Sequence, residues 1–115
     1  MPKITSQAKR LRIYIGETDR YKGKPLYQAL VEKAKELDMA GATVVRGLMG
    51  YGANSRIHTA KILDLSSDLP IVVEIIDSEE YMDKLLPLLD EMVQEGLVII
   101  DEIQVIKYGN KPPKH

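Results

Sequence analysis

The hydrophobic pattern switches between a period of two and a period near 3.6 in the order strand, helix, strand, strand, helix, strand, and few folds accept that order. Residues 10–16, RLRIYIG, alternate Leu11, Ile13 and Ile15 with Arg10, Arg12 and Tyr14, which predicts a half-buried strand ended by Gly16. The polar loop GETDRYKGK leads to Pro25, a residue suited to the first helical position. Leu26, Leu30, Ala34 and Leu37 then form one apolar stripe, predicting a helix over 25–38 with Gly41 as its stop. ATVVRGLM reads as a second strand and IHTAKILDL as a strand or hairpin arm. The nearly continuous apolar run IVVEII, residues 71–76, predicts a central strand, covered on both faces or at an oligomer contact.

Ser78 reads as the N-cap of a second helix whose buried face is Met82, Leu85, Leu86, Leu89, Met92 and Val93. Pro87 inside that pattern predicts a kink or restart, and Gly96 closes the element. LVII and IQVIKY supply a last strand, with a bulge expected at Asp101–Glu102, before a frayed tail, GNKPPKH. This order is the split βαβ or ferredoxin-like plan: an α+β sandwich, βαββαβ, with two helices on one face of an antiparallel sheet. A single domain over residues 1–115 is expected, with its core at about 8–108 and a flexible tail at 109–115.

Composition narrows the function classes. Sixteen Lys+Arg against seventeen Asp+Glu leave no global field for a polyanion, so nucleic acid is not an expected partner. An RNA-recognition module uses the same element order, but needs sheet aromatics for base stacking; here Tyr14 alone is placed for that. The absence of Cys removes disulfides, thiolate zinc sites and thiol nucleophiles. His58 and His115 are the only histidines, so no multi-histidine metal site is expected. No apolar run approaches the roughly 20 residues of a membrane span, and MPKITSQAKR does not read as a signal peptide. The expectation is a cytoplasmic protein without membrane insertion. A small core without Phe or Trp also points towards self-association.

The densest candidate for binding chemistry runs from Arg46 to Arg56. Gly47, Gly50 and Gly52 stand within six residues, where glycine permits positive φ and close approach of a ligand to the backbone. Amide N–H groups there could cradle an anion, with Arg46, Arg56 and His58 to neutralise phosphate. The spacing GxxGxG matches neither the dinucleotide fingerprint nor a Walker loop. An ordinary turn between strands is the competing explanation. The loop 16–24 is a second candidate, with Glu17 and Asp19 placed for a ribose hydroxyl or ion and Lys22 or Lys24 for phosphate. No nucleophile, base and orienting group assemble, and no GxSxG surrounds any serine, so no catalytic residue is assigned.

The segment Gly41-Ala42-Thr43-Val44, followed by Gly50-Tyr51-Gly52, resembles the stretch with which PII signalling proteins leave their second strand and enter the T-loop. More closely, the chain resembles the PII-like DUF190 family through LRIYIGETDRYKGKPLY, AGATVVRGLMGYGANSRIHTAKILDLSSDLPIVVEIID and the closing VIKY. That resemblance implies a homotrimer that binds an adenine nucleotide in clefts between subunits and signals through a mobile loop to a regulated protein. By position, Thr43, Gly50 and Gly52 match the PII cleft, and Lys107 is the possible counterpart of its C-terminal basic residues. The chain lacks the glycine-rich B-loop and its lysine, so AMP or ADP is expected in preference to ATP, with no cofactor required. Gly50–Gly52 amides and Arg56, with Arg46 or His58, would hold phosphate while Tyr51 or an apolar strand residue covers the base, ordering the segment 50–69. The rivals are a small phosphate-handling enzyme and a structural trimer whose glycines serve only the turn.

Overall fold

The computed structural model describes residues 7–51, 58–59 and 68–109. In chain order come β1 (Gln7–Gly16), the short strands β2 (Arg20–Tyr21) and β3 (Lys24–Pro25), and helix α1 (Leu26–Glu36). They are followed by β4 (Gly41–Arg46), the short β5 (Met49–Gly50) and β6 (His58–Thr59), β7 (Pro70–Asp77), α2 (Glu79–Met92) and β8 (Leu97–Gln104). The long strands form one antiparallel sheet in the order β4-β7-β1-β8. β7 is inserted between β4 and β1, which is the split of the split βαβ plan, so the fold is the ferredoxin-like α+β sandwich predicted above.

Period-two burial decides which face meets the helices. Leu11, Ile13 and Ile15 of β1 and Ile71, Val73 and Ile75 of β7 point to one side and are buried. Leu26, Ala29, Leu30 and Ala34 of α1, with Met82, Leu85, Leu89 and Met92 of α2, close the same core. The run 71–76 is central, as predicted, with β4 and β1 as its neighbours.

Several local expectations are corrected. Helix α1 ends before Gly41. Asp38 adopts φ 60°, its N–H donates to Lys35 O at 2.9 Å, and Met39 N–H donates to Ala34 O at 3.0 Å. These paired bonds are a Schellman stop, with Asp in the left-handed seat usually held by Gly, and Gly41 instead opens β4. Pro25 is the N-cap of α1, not its first turn, because it also pairs with Arg20 in the small hairpin β2–β3. Helix α2 persists through Pro87 as one element, so of the kink or restart expected there the restart is absent. Pro87 and Asp83, whose carbonyl loses its amide partner, are both exposed residues, which leaves that carbonyl open to water. Ser78 sits at the N-cap but makes no side-chain capping bond.

β8 is continuous, with no bulge at Asp101–Glu102. Those carboxylates lie directly opposite Arg10 and Lys9, so cross-strand attraction supports regular pairing there. Arg10 Nε and Nη2 donate to Asp101 at 3.2 and 2.8 Å, and Lys9 Nζ donates to Glu102 at 3.3 Å. The Arg10 hydrogen bonds hold the Asp101 carboxyl below the usual carboxylate range.

The sheet face away from the helices carries cross-strand rows. One reads Val45–Val72–Tyr14–Leu97, and the next Thr43–Glu74–Arg12–Ile99. No described residue packs over this face to bury its edges: Val45 is 53% exposed and Leu97 56%.

Candidate functional site

β4 ends, and β7 and the tail of β1 meet, at one end of the sheet, where Gly16 lies opposite Pro70 and Arg46 opposite Ile71. Four contacts bind the strands there. Gly47 N–H donates to Pro70 O at 2.7 Å, and Glu17 N–H donates to Leu69 O at 2.8 Å. Thr18 N–H donates to Asp68 Oδ1 at 2.9 Å. The Arg46 guanidinium meets the Glu17 carboxylate at 2.6 Å. The chain therefore leaves at Arg46–Gly47 and returns at Asp68–Pro70 through a collar made by residues 16–18.

The glycines at this collar have a steric cause. Neither Gly47 nor Gly50 adopts positive φ, contrary to the expectation from their spacing. A Cβ on Gly47 would stand 2.8 Å from Pro70 Cγ, and one on Gly50 3.2 Å from the same atom. Both glycines let the backbone pass closely over the Pro70 ring. Met49 and Gly50 then pair with Thr59 and His58 in a small two-stranded sheet, beside which Leu48, Met49 and Tyr51 are exposed.

Arg46, Gly47, Gly50 and Tyr51 are thus brought to one end of the sheet. Thr43 lies on β4 towards the other end, on the face away from the helices and opposite Glu74. Gly52 and Arg56 lie outside the described residues, and His58 is described only as the backbone partner of Gly50. Lys107 follows β8, whose Gln104 pairs with Gln7, so within one chain it lies at the sheet end opposite Arg46. The loop 16–24 is largely engaged within the chain. Asp19 Oδ2 accepts the Gly16 N–H at 2.9 Å, Lys24 pairs with Glu32 at 2.6 Å, and Lys22 sits 5.3 Å from the Tyr21 ring.

Sequence reasoning missed the contact between Glu17 and Arg46 and the part played by Asp68. Glu17 and Arg46 stand 29 positions apart and Thr18 and Asp68 stand 50 apart, and no local pattern joins them. A polar cleft of about 610 Å³ lies at the opposite sheet end, lined by Lys9, Ser78, Glu79, Glu80 and Glu102 among others. Its Lys9 is already held by Glu79 at 3.4 Å and Glu102 at 3.3 Å, and the excess of carboxylates makes it unsuited to phosphate. Among the described residues no group of His, Cys, Asp and Glu could hold a metal ion. At the Arg46 end the guanidinium meets a single carboxylate and is 62% exposed, which makes it, of the two ends, the candidate for an anion.

A family model described as DUF190 (Uncharacterized ACR, COG1993) matches residues 8–105. A UPF0166 protein of Aquifex aeolicus (strain VF5) is 42% identical over 98 residues, spanning 85% of this chain and 92% of the relative. Among solved structures, CPII from Thiomonas intermedia K12, bound to ADP and bicarbonate, superposes with a TM-score of 0.63 at 22% identity, covering 88% of this chain and 90% of that one. Another CPII structure, described as a nitrogen regulatory PII-like protein bound to ADP, AMP and bicarbonate, gives a TM-score of 0.60 at 18% identity, with 88% and 90% covered. At these identities the likeness is one of fold: the architecture is PII-like.

Proposed function

The chain belongs to the DUF190 family, and from that premise we propose that it is a PII-like regulatory protein, not an enzyme, that binds AMP or ADP between subunits of a homotrimer. The observation that carries this reading is the collar: an exposed Arg46 held at the point where the chain leaves and re-enters a PII-like sheet. The ADP and AMP held by CPII, a protein of the same fold, support the choice of ligand. The exposed row Val45–Val72–Tyr14–Leu97 supports the trimer, because neighbouring copies would remove its apolar area from water.

In this reading Arg46 and Arg56, with His58 assisting, neutralise phosphate, backbone groups at Gly47, Gly50 and Gly52 approach it, and Tyr51 covers the base. Thr43 lines the cleft. Lys107 reaches the cleft of a neighbouring subunit, because its own Arg46 lies at the other end of the sheet. Nucleotide binding shifts the population of the 50–69 segment, which presents or withholds a surface for a regulated protein. The protein works as one domain in the cytoplasm, without membrane insertion; no helix among the described residues is long and apolar enough to cross a membrane.

One observation favours a second reading. Contact with Pro70 accounts for Gly47 and Gly50 without any ligand, as in a purely structural trimer. Native mass spectrometry and isothermal titration with AMP, ADP and ATP separate the two. Three subunits with saturable heat of binding support the regulator. A trimer whose titrations are silent at millimolar nucleotide would falsify the ligand claim.

A further inference from the structure

The Glu17–Arg46 pair has a consequence for any anion that binds there. Glu17 Oε2 lies 2.6 Å from Arg46 Nη2, and the carboxylate is the sheltered partner: its side chain is 25% exposed against 62% for Arg46. An incoming phosphate oxygen seeks the same guanidinium edge, so it must displace the carboxylate or share the cation with it. The Glu17 backbone is fixed in place, so its carboxylate can move only as far as a side-chain rotation carries it. Its own N–H is tied to Leu69 O, and the next N–H, of Thr18, is tied to Asp68. A displaced carboxylate therefore stays near the bound anion, with the Asp68 carboxylate in the same collar. The repulsion between these carboxylates and the ligand grows with each further phosphoryl group, while the attraction from Arg46 is already shared.

Resting on the reading of Arg46 as the phosphate-binding cation, we propose that Glu17 is the charge-selectivity residue of this site, favouring a nucleoside monophosphate over its di- and triphosphates. The carboxylate is a built-in competitor for the anion. It holds Arg46 in place when the site is empty and raises the cost of every additional negative charge when it is filled. Arg46 supplies affinity, and Glu17 decides how much charge the site accepts.

The test titrates AMP, ADP, ATP and inorganic pyrophosphate into the full-length chain and into Glu17→Gln, each at low and high salt. Glu17→Gln should tighten AMP by about threefold, ADP by about tenfold and ATP by more, and those gains should shrink as salt screens the charge. The preference of the wild-type chain for AMP over ATP should narrow at high salt for the same reason, a readout that holds even if the variant does not fold. Glu17→Asp, which keeps the charge, should keep the wild-type ranking. Equal gains for all ligands, weaker binding in Glu17→Gln, or a salt-independent ranking would overturn the proposal. If no nucleotide binds either protein but pyrophosphate binds Glu17→Gln more tightly, the nucleotide reading falls and the competitor stands. If no anion binds either protein, both fall.

Discussion

Gly47 stands so close to Pro70 that a Cβ on it would lie 2.8 Å from the proline Cγ, while its N–H donates to the Pro70 carbonyl at 2.7 Å. The hydrogen bond and the missing side chain belong together, because the bond draws the backbone onto the ring. Gly47→Ala must push the two apart, at a cost of about 1–3 kcal/mol. Pro70→Ala removes the clashing Cγ, so Gly47→Ala/Pro70→Ala should recover part of that loss. Urea midpoints of the single and double variants check the coupling; additive losses would show that the ring is not the obstacle.

Asp77 is the one buried charged residue among those described, 2% exposed, and its two oxygens serve different donors. Oδ2 accepts the Ala40 N–H at 2.7 Å and Oδ1 the Ser78 N–H at 2.6 Å. Asp77→Ala leaves both donors without their partner and should cost about 3 kcal/mol. Asp77→Asn keeps one acceptor oxygen and should lose less. A thermal or urea series that ranks Asn below Ala in stability contradicts this account.

Asp38 holds φ 60° at the end of α1. Glycine adopts that conformation without the steric cost of a Cβ, so Asp38→Gly should be neutral or stabilising by up to about 1 kcal/mol. Asp38→Val places a β-branched side chain there and should destabilise by more than 1 kcal/mol, roughly. Circular-dichroism melts of the pair decide it: equal melting temperatures would mean that the helix stop relaxes.

Asp101 titrates below its ordinary value because Arg10 donates hydrogen bonds to it. The unfolded chain therefore takes up this proton at a higher pH than the folded one. The stabilisation is complete above the unfolded value of about 3.9 and is lost as pH falls through the lower folded value. Urea midpoints measured downward from about pH 5 should fall less steeply in Asp101→Asn than in the wild-type chain. The pair is exposed, so the difference should be small and should diminish with salt.

Val45 and Leu97 end the exposed row that crosses the sheet through Val72 and Tyr14. Val45→Glu and Leu97→Glu put charge where the proposed trimer needs apolar contact. Sedimentation should show a shift to smaller species for both, with far-UV circular dichroism retained. A trimer that survives both substitutions would place the contact elsewhere.

Both helices, the four long strands and their ferredoxin-like arrangement were legible in the sequence, since burial follows from side-chain period alone. Leu11, Ile13 and Ile15 alternate, and Leu26, Leu30 and Ala34 recur at helical spacing, whatever lies elsewhere in the chain. Local signals misled where a distant residue had the final effect. Asp101–Glu102 reads locally as a bulge, but Arg10 and Lys9 lie opposite and favour regular pairing; Gly47 and Gly50 read locally as positive-φ glycines, but it is the Pro70 ring that leaves no room for a side chain. Side-chain period is enough to set the layers and the buried face, and the residue strings carry the family to which the chain belongs. That Glu17 rests on Arg46, that Thr18 holds Asp68 and that Lys107 stands apart from both are outcomes of the assembled sheet. Such contacts join segments that come together only when the sheet forms, and no period within a single segment records which partner it will meet.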